Sequence, residues 1–146
     1  MAGNPQIPVG TLNRLIASVT WPTNTALNVS ASYLNRDGIR LAFEGEATRF
    51  LPALTGMVTS PEPYQPCTLT INLLKTQGLA QKYEATRQQN TLLGNGVVRP
   101  DAVTLSPFDL YNMAIENVRE LAFSGEDAGY AVMCRGYVLV NNFLWT

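Results

Sequence analysis

Hydrophobic and polar positions alternate most cleanly from Cys67 to Leu74, where Leu69, Ile71 and Leu73 face one way and Thr68, Thr70 and Asn72 the other. Period-2 patterning of this kind predicts a half-buried strand. Ile39, Leu41 and Phe43 alternate in the same way with Arg40, Ala42 and Glu44, and the even positions run on to Glu46 and Thr48. That predicts a second strand, with one greasy face and one polar, mostly acidic face. Further strands are predicted over Gly10 to Trp21, ended by Pro22, and over Thr25 to Tyr33. Asn35-Arg36-Asp37-Gly38 reads as a turn, since Asp-Gly supplies the positive φ of a tight hairpin. Phe50 to Pro66 carries four prolines and no clean period, which predicts a long loop, and long loops in compact domains usually have a task.

From Lys75 the period changes. Leu79, Ala80, Tyr83 and Arg87 fall at helical spacing, predicting a helix from Gly78 to Asn90, ahead of a turn at Gly94-Asn95-Gly96. Val97 to Leu105 suits a strand interrupted at Arg99-Pro100-Asp101. Ser106-Pro107 suits an N-cap followed by a single helical turn to Tyr111. Met113 to Phe123 and Tyr130 to Val140 are predicted as strands joined through Ser124 to Gly129. The sum is a mainly β chain, an antiparallel sandwich or barrel with one flanking helix, expected as one domain over residues 1–146.

Composition sharpens this picture by subtraction. The chain has 146 residues, 46% of them hydrophobic and only 14% charged, against about 25% charged in a typical soluble domain. Some surface is therefore expected to meet protein rather than water. Ten basic residues against eleven acidic ones give a net charge of -1 and no general attraction for nucleic acid or an anionic membrane. There is no histidine, which removes the commonest general base and metal ligand. The N-terminal stretch lacks a basic segment followed by an apolar one, and no apolar run approaches the ~18 residues of a membrane span, so synthesis and folding in the cytosol are expected. Cys67 and Cys134 are too far apart for a CxxC motif. They read first as buried small thiols, with a disulfide within or between chains as the alternative.

Candidate chemistry is sparse. Glu44 and Glu46 share a strand parity that could seat a metal or divide acid and base roles, but no third partner is recognisable, and a solvated sheet face explains them better. Gly94-Asn95-Gly96 lacks the third glycine and the context of a dinucleotide site. Glu126-Asp127 lacks the alternating ligands of a calcium loop. Tyr137, Phe143 and Trp145 have only Arg135 as a basic neighbour, which favours core or interface over base stacking. No catalytic, metal or cofactor site is legible, and the chain reads as a structural or binding protein rather than an enzyme.

The order of the pieces carries more. SPEPY feeding TLTINLLKTQ, then a helix, then VRPD, LSPFDLYN, NVRELAFSGEDAGY and a terminal NNFLW resembles the tail tube proteins of contractile-tailed bacteriophages, from about Gly38 to Trp145. The resemblance implies small β-sandwich subunits with a flanking helix. It implies that six of them form a ring whose inner strands join into one barrel, and that rings stack into a tube inside the contractile sheath. DNA would leave through the bore without specific binding, and the chain would reside in the virion tail after assembly in the host bacterial cytoplasm. Expected partners are further copies of itself and the sheath, tape-measure, baseplate and tail-terminator proteins, with no membrane and no cofactor.

A DNA conduit must avoid gripping phosphate, because each Lys or Arg contact releases counterions and strengthens binding. The candidate lumen face is therefore Glu44, Glu46, Thr48, Thr68, Thr70 and Asn72, with Arg40 as a counterargument. The family's inter-ring loop would correspond to Arg49 to Pro66, with Ser60, Pro61, Glu62, Pro63, Tyr64 and Pro66 as candidate stacking residues. Prolines there hold the chain extended, so that it loses little entropy on docking. Three alternatives remain: a tube of a non-contractile tail, a bacteriocin or a type VI machine; a carboxylate hydrolase built on Glu44 and Glu46; and a monomeric carbohydrate- or peptide-binding sandwich.

Overall fold

The structure is a computed structural model that describes residues 17–100 and 105–144. In chain order its elements are β1 (Ala17–Thr20), two single 3-10 turns (Thr25–Leu27 and Ala31–Tyr33), β2 (Leu34–Phe43), β3 (Thr48–Ala53), β4 (Gly56–Pro61), β5 (Tyr64–Leu74), α1 (Gly78–Gln89), β6 (Leu92–Pro100), β7 (Phe108–Val118) and β8 (Gly129–Leu139). Six strands form one sheet in the order β1-β6-β7-β8-β5-β2, every neighbouring pair antiparallel. The sheet curls until its two edge strands touch, giving a nearly closed barrel with one helix, as expected from the sequence. Phe43 of β2 and Phe108 of β7, which are not neighbours in the sheet, meet across the open end with ring centroids 6.0 Å apart. Among the described residues, β3 and β4 pair only with each other.

β5 is the spine. It pairs with β8 without a slip from Tyr64 opposite Leu139 to Leu74 opposite Gly129, and Cys67, Leu69, Ile71 and Leu73 are wholly buried. From β8, Tyr130, Val132, Cys134 and Val138 join them inside the barrel, with Leu110, Met113 and Ile115 from β7. α1 reaches the same core through Leu79, Ala80 and Tyr83. Trp21, fully buried, ties the N-terminal segment to that helix: its indole Nε1 donates to the Tyr83 hydroxyl at 2.9 Å, which donates in turn to the Leu27 carbonyl at 2.7 Å.

Several local expectations are corrected. Thr25 to Tyr33 is not a strand. Asn28 Oδ1 accepts the Trp21 backbone N–H at 2.7 Å, a side-chain alternative to a ladder bond, and only Val29 pairs, exchanging both backbone bonds with Val19. Asn35 to Gly38 is not a free turn but lies inside β2, where pairing with β5 slips between Leu34 and Ile39 and Gly38 takes φ +68°. This is a bulge, with Asn72 Nδ2 donating to the Gly38 carbonyl at 2.9 Å. Gly94-Asn95-Gly96 is likewise in β6, not a turn. Gly94 has φ +81°, and a Cβ on Gly96 would sit 2.5 Å from the Trp21 ring, so the glycine makes room for that ring.

Ser106-Pro107 opens no helical turn; β7 begins at Phe108 instead and ends at Val118, before Leu121 to Phe123. The connection to β8 runs from Arg119 to Ala128, held by Lys75 Nζ donating to the Ala122 and Asp127 carbonyls. The expected loop from Phe50 to Pro66 is mostly the β3–β4 hairpin with the start of β5. Four prolines suggested a loop because proline cannot donate to a ladder. On a two-stranded arm each strand has one unpaired side, and Pro52 and Pro61 are accommodated at such edge positions. The first part of the strand expected over Gly10 to Trp21, the Asp101 interruption and Trp145 lie outside the described residues.

Candidate functional site

Two surfaces follow from this architecture: the outward face of β2, β5, β8 and β7, and the projecting hairpin. On the first, the register sets Arg40 beside Thr70 and Met133, and Ala42 beside Thr68, Arg135 and Ala114. Glu44, just past β2, anchors the end of this face. It accepts from Thr68 Oγ1 at 2.9 Å and is ion-paired with Arg135, whose other guanidinium nitrogen lies 3.9 Å from Glu116. These side chains are 41–49% exposed, so water screens the pairs and their worth lies in fixing side-chain positions more than in stability. Thr70 and Asn72 are buried despite being polar: Thr70 lies between the longer Arg40 and Met133, and Asn72 spends its Nδ2 on the Gly38 carbonyl.

The face is charge-balanced, not acidic. Glu44 and Glu116 meet Arg135 and Arg40 on it. Arg135 carries the parity of Met133 and Tyr137 along β8, which the sequence alone could have flagged once that strand was registered against β5. Glu44 also helps to raise the pKa of the neighbouring Cys67 thiol, although burial is the larger cause. Cys134 is pushed up to about 12 by burial, and both cysteines are buried free thiols.

Of the six predicted lumen residues, Glu44, Thr68, Thr70 and Asn72 share this face. Glu46 and Thr48 do not continue it. The chain bends at Gly45, whose φ is +73°, and Glu46 then lines a separate polar depression with Arg49, Phe50 and Glu62, while Thr48 opens β3 in the other sheet. Glu44 and Glu46 therefore do not act as one pair. Among the described residues no group of three or more His, Cys, Asp or Glu side chains is placed to hold a metal. Glu126 is exposed in the β7–β8 connection, and Asp127 uses Oδ1 to accept the Gly129 N–H at 2.9 Å. Tyr137 is central to an aromatic row, edge-on to Tyr64 at 5.5 Å and stacked on Tyr111 at 5.7 Å. Phe143 is almost fully exposed.

The six candidate stacking residues divide among three places. Ser60 and Pro61 end β4, Glu62 and Pro63 link the hairpin to the barrel, and Tyr64 and Pro66 begin β5. Their carbonyls are well used: Pro66 accepts from the Glu44 N–H at 2.8 Å and Pro63 from the Val140 N–H at 3.2 Å. Asn141, held at φ +56°, spans the root by donating from Nδ2 to the carbonyls of Ala47 and Glu62 at 3.0 and 2.8 Å. Nothing in the sequence pattern marked Asn141. Beyond the root, Phe50, Leu51, Leu54, Met57 and Val58 are all exposed, Leu54 completely.

No protein-family model matches the chain, and no curated protein matches it. Among solved structures, the fold is similar to that of a chain in the virion of a native gene transfer agent particle. The TM-score is 0.58 at 8% identity, over 85% of this chain and 95% of that one. The likeness is one of fold.

Proposed function

We propose that the chain is a non-enzymatic structural subunit of a phage-type tail tube, one domain in which copies form rings, six to a ring, that stack inside a contractile sheath and conduct DNA. The observation that carries this reading is the likeness in fold to a chain of a virion particle, which extends over most of both chains. The motif resemblance in the sequence points the same way. In this reading the bore is lined by the face carrying Glu44, Thr68, Thr70 and Asn72. Its chemistry suits passage: Arg135 is engaged by two carboxylates, so it has little charge to spare for phosphate. Glu46 and Thr48 sit at the root of the hairpin, and the segment from Arg49 to Pro66 serves ring-to-ring stacking.

Sheath, tape-measure, baseplate and terminator proteins are the further partners, and the virion tail is the place of action. Sedimentation of purified protein over a rising concentration series tests the reading. Species several times the mass of one chain are expected, with salt-insensitive, weak retention on duplex DNA. A chain that stays single throughout and binds DNA tightly would not be a conduit subunit.

A further inference from the structure

The two ends of the barrel differ. α1 follows β5 at its Leu74 end and sends Leu79, Ala80 and Tyr83 into the core. At the Tyr64 end the inward-facing positions run on past the last buried layer: from Cys67 to Gln65 on β5, from Val138 to Val140 at the end of β8, and from Leu110 to Phe108 on β7. Gln65, Phe108 and Val140 are only part-buried, and Phe43 at the end of β2 is 44% exposed. Together they wall a cavity of about 340 Å³, mostly apolar in its lining. Pockets that take small ligands begin at ~300 Å³, so this mouth has room for one large aromatic side chain.

The chain itself comes back to this mouth. Past β8, the Leu144 N–H donates to the Asn141 carbonyl at 2.9 Å, closing a β-turn. Asn141 is pinned within it, at φ +56° with Nδ2 bonded to the Ala47 and Glu62 carbonyls. A β-turn keeps the Cα atoms of its first and last residues within about 7 Å, and the next residue adds about 3.8 Å, so Trp145 starts within about 11 Å of Asn141. Val140 and Asn142, on either side of Asn141, both line the cavity. Phe143 does not line it and is 98% exposed, which leaves Trp145 as the next aromatic ring along the chain. A buried indole also needs an acceptor for its N–H. Gln65, in the wall, donates Nε2 to the Gly45 carbonyl at 3.3 Å, and its Oε1 supplies that acceptor.

We infer that Trp145 folds back over the Asn141 turn and seats its indole in the mouth of its own barrel, against Phe43, Phe108 and Val138, with its N–H given to Gln65. There it covers the two phenylalanine rings and buries roughly 200 Å² of its own surface. The contact is made within one chain and holds whether or not copies assemble.

Trp21 and Trp145 are the two tryptophans of the chain, so the emission of the full-length wild type minus that of Trp145→Phe is the signal of Trp145. In dilute protein that signal is expected to be blue-shifted and roughly fivefold less quenched by acrylamide than in the unfolded chain, because a packed site excludes the quencher. Phe43→Asp places a carboxylate in the wall and is expected to turn the signal red and fully quenchable. Leu139→Asp, on the rim of the cavity and 47% exposed, does the same if Phe43→Asp fails to fold, as judged by circular dichroism. Phe123→Asp, in the β7–β8 connection and 94% exposed, is expected to leave the signal unchanged. A Trp145 signal that is red and freely quenched in the folded wild type would overturn the inference, whatever else fills the mouth. So would a protected signal that the folded mouth variants do not alter, or protection that appears only as concentration rises, which would place Trp145 on a second copy.

Discussion

At the scale of single residues, the buried chain from Trp21 through Tyr83 to Leu27 does most to fix the helix and the N-terminal segment against the barrel. Burial raises the Tyr83 pKa, so the hydroxyl stays protonated and can donate to the Leu27 carbonyl at any ordinary pH. Tyr83→Phe strands an indole N–H and a carbonyl, each a loss of about 1–3 kcal/mol, and should lower unfolding stability in urea by about 2–4 kcal/mol. Gly96→Ala drives a Cβ into the Trp21 ring, and should cost about 1–3 kcal/mol with a shift in tryptophan emission. Glu84 titrates differently. Its ion pair and hydrogen bonds with Arg87, then the Tyr130 hydroxyl, hold its carboxyl down to about 2 from an ordinary 4.5. A depressed carboxylate stabilises the fold above its unfolded pKa and loses that contribution as pH falls through the folded one. The stability advantage of wild type over Glu84→Gln should therefore be full at pH 7, shrink below about 4.5 and vanish near 2, as read from urea midpoints across that range.

At the scale of elements, β5 and β8 are the best-made pair and hide both cysteines in their shared core face. Raised pKa values and burial make those thiols poor nucleophiles, so an aromatic disulfide reagent at pH 8 should leave them unmodified until the protein is unfolded. β5, β8 and α1 were legible in the sequence because each satisfies its pattern locally: strict alternation from Cys67 to Leu74, and helical spacing from Leu79 to Arg87. What misled were residues whose job is tertiary. Gly38, Gly94 and Gly96 looked like turn punctuation but bulge a strand or yield to the Trp21 ring. Pro52 and Pro61 looked like loop markers but sit on a two-stranded hairpin that pairs with no other strand among the described residues. Even parity through Glu44, Glu46 and Thr48 suggested one acidic face, and the backbone bend at Gly45 divides it. The charge balance at Arg135 was hidden because its partners lie in β7 and just past β2, far away along the chain.

At the scale of the whole molecule, the chain is a barrel whose core is internally satisfied and whose arm is not. That imbalance, with low charge and a neutral polar face, is what the proposed assembly with further copies would use. A protease cutting after Met57 or Phe50 should clip the arm rapidly in dilute protein and slowly in assembled protein, as followed by mass spectrometry. The central claim, a self-assembling tube subunit, is tested most directly by negative-stain electron microscopy of the purified, concentrated full-length chain. Rings or tubes with a stain-filled central bore are predicted. Fields of compact single-chain particles at every concentration, with no ring or tube, would contradict it.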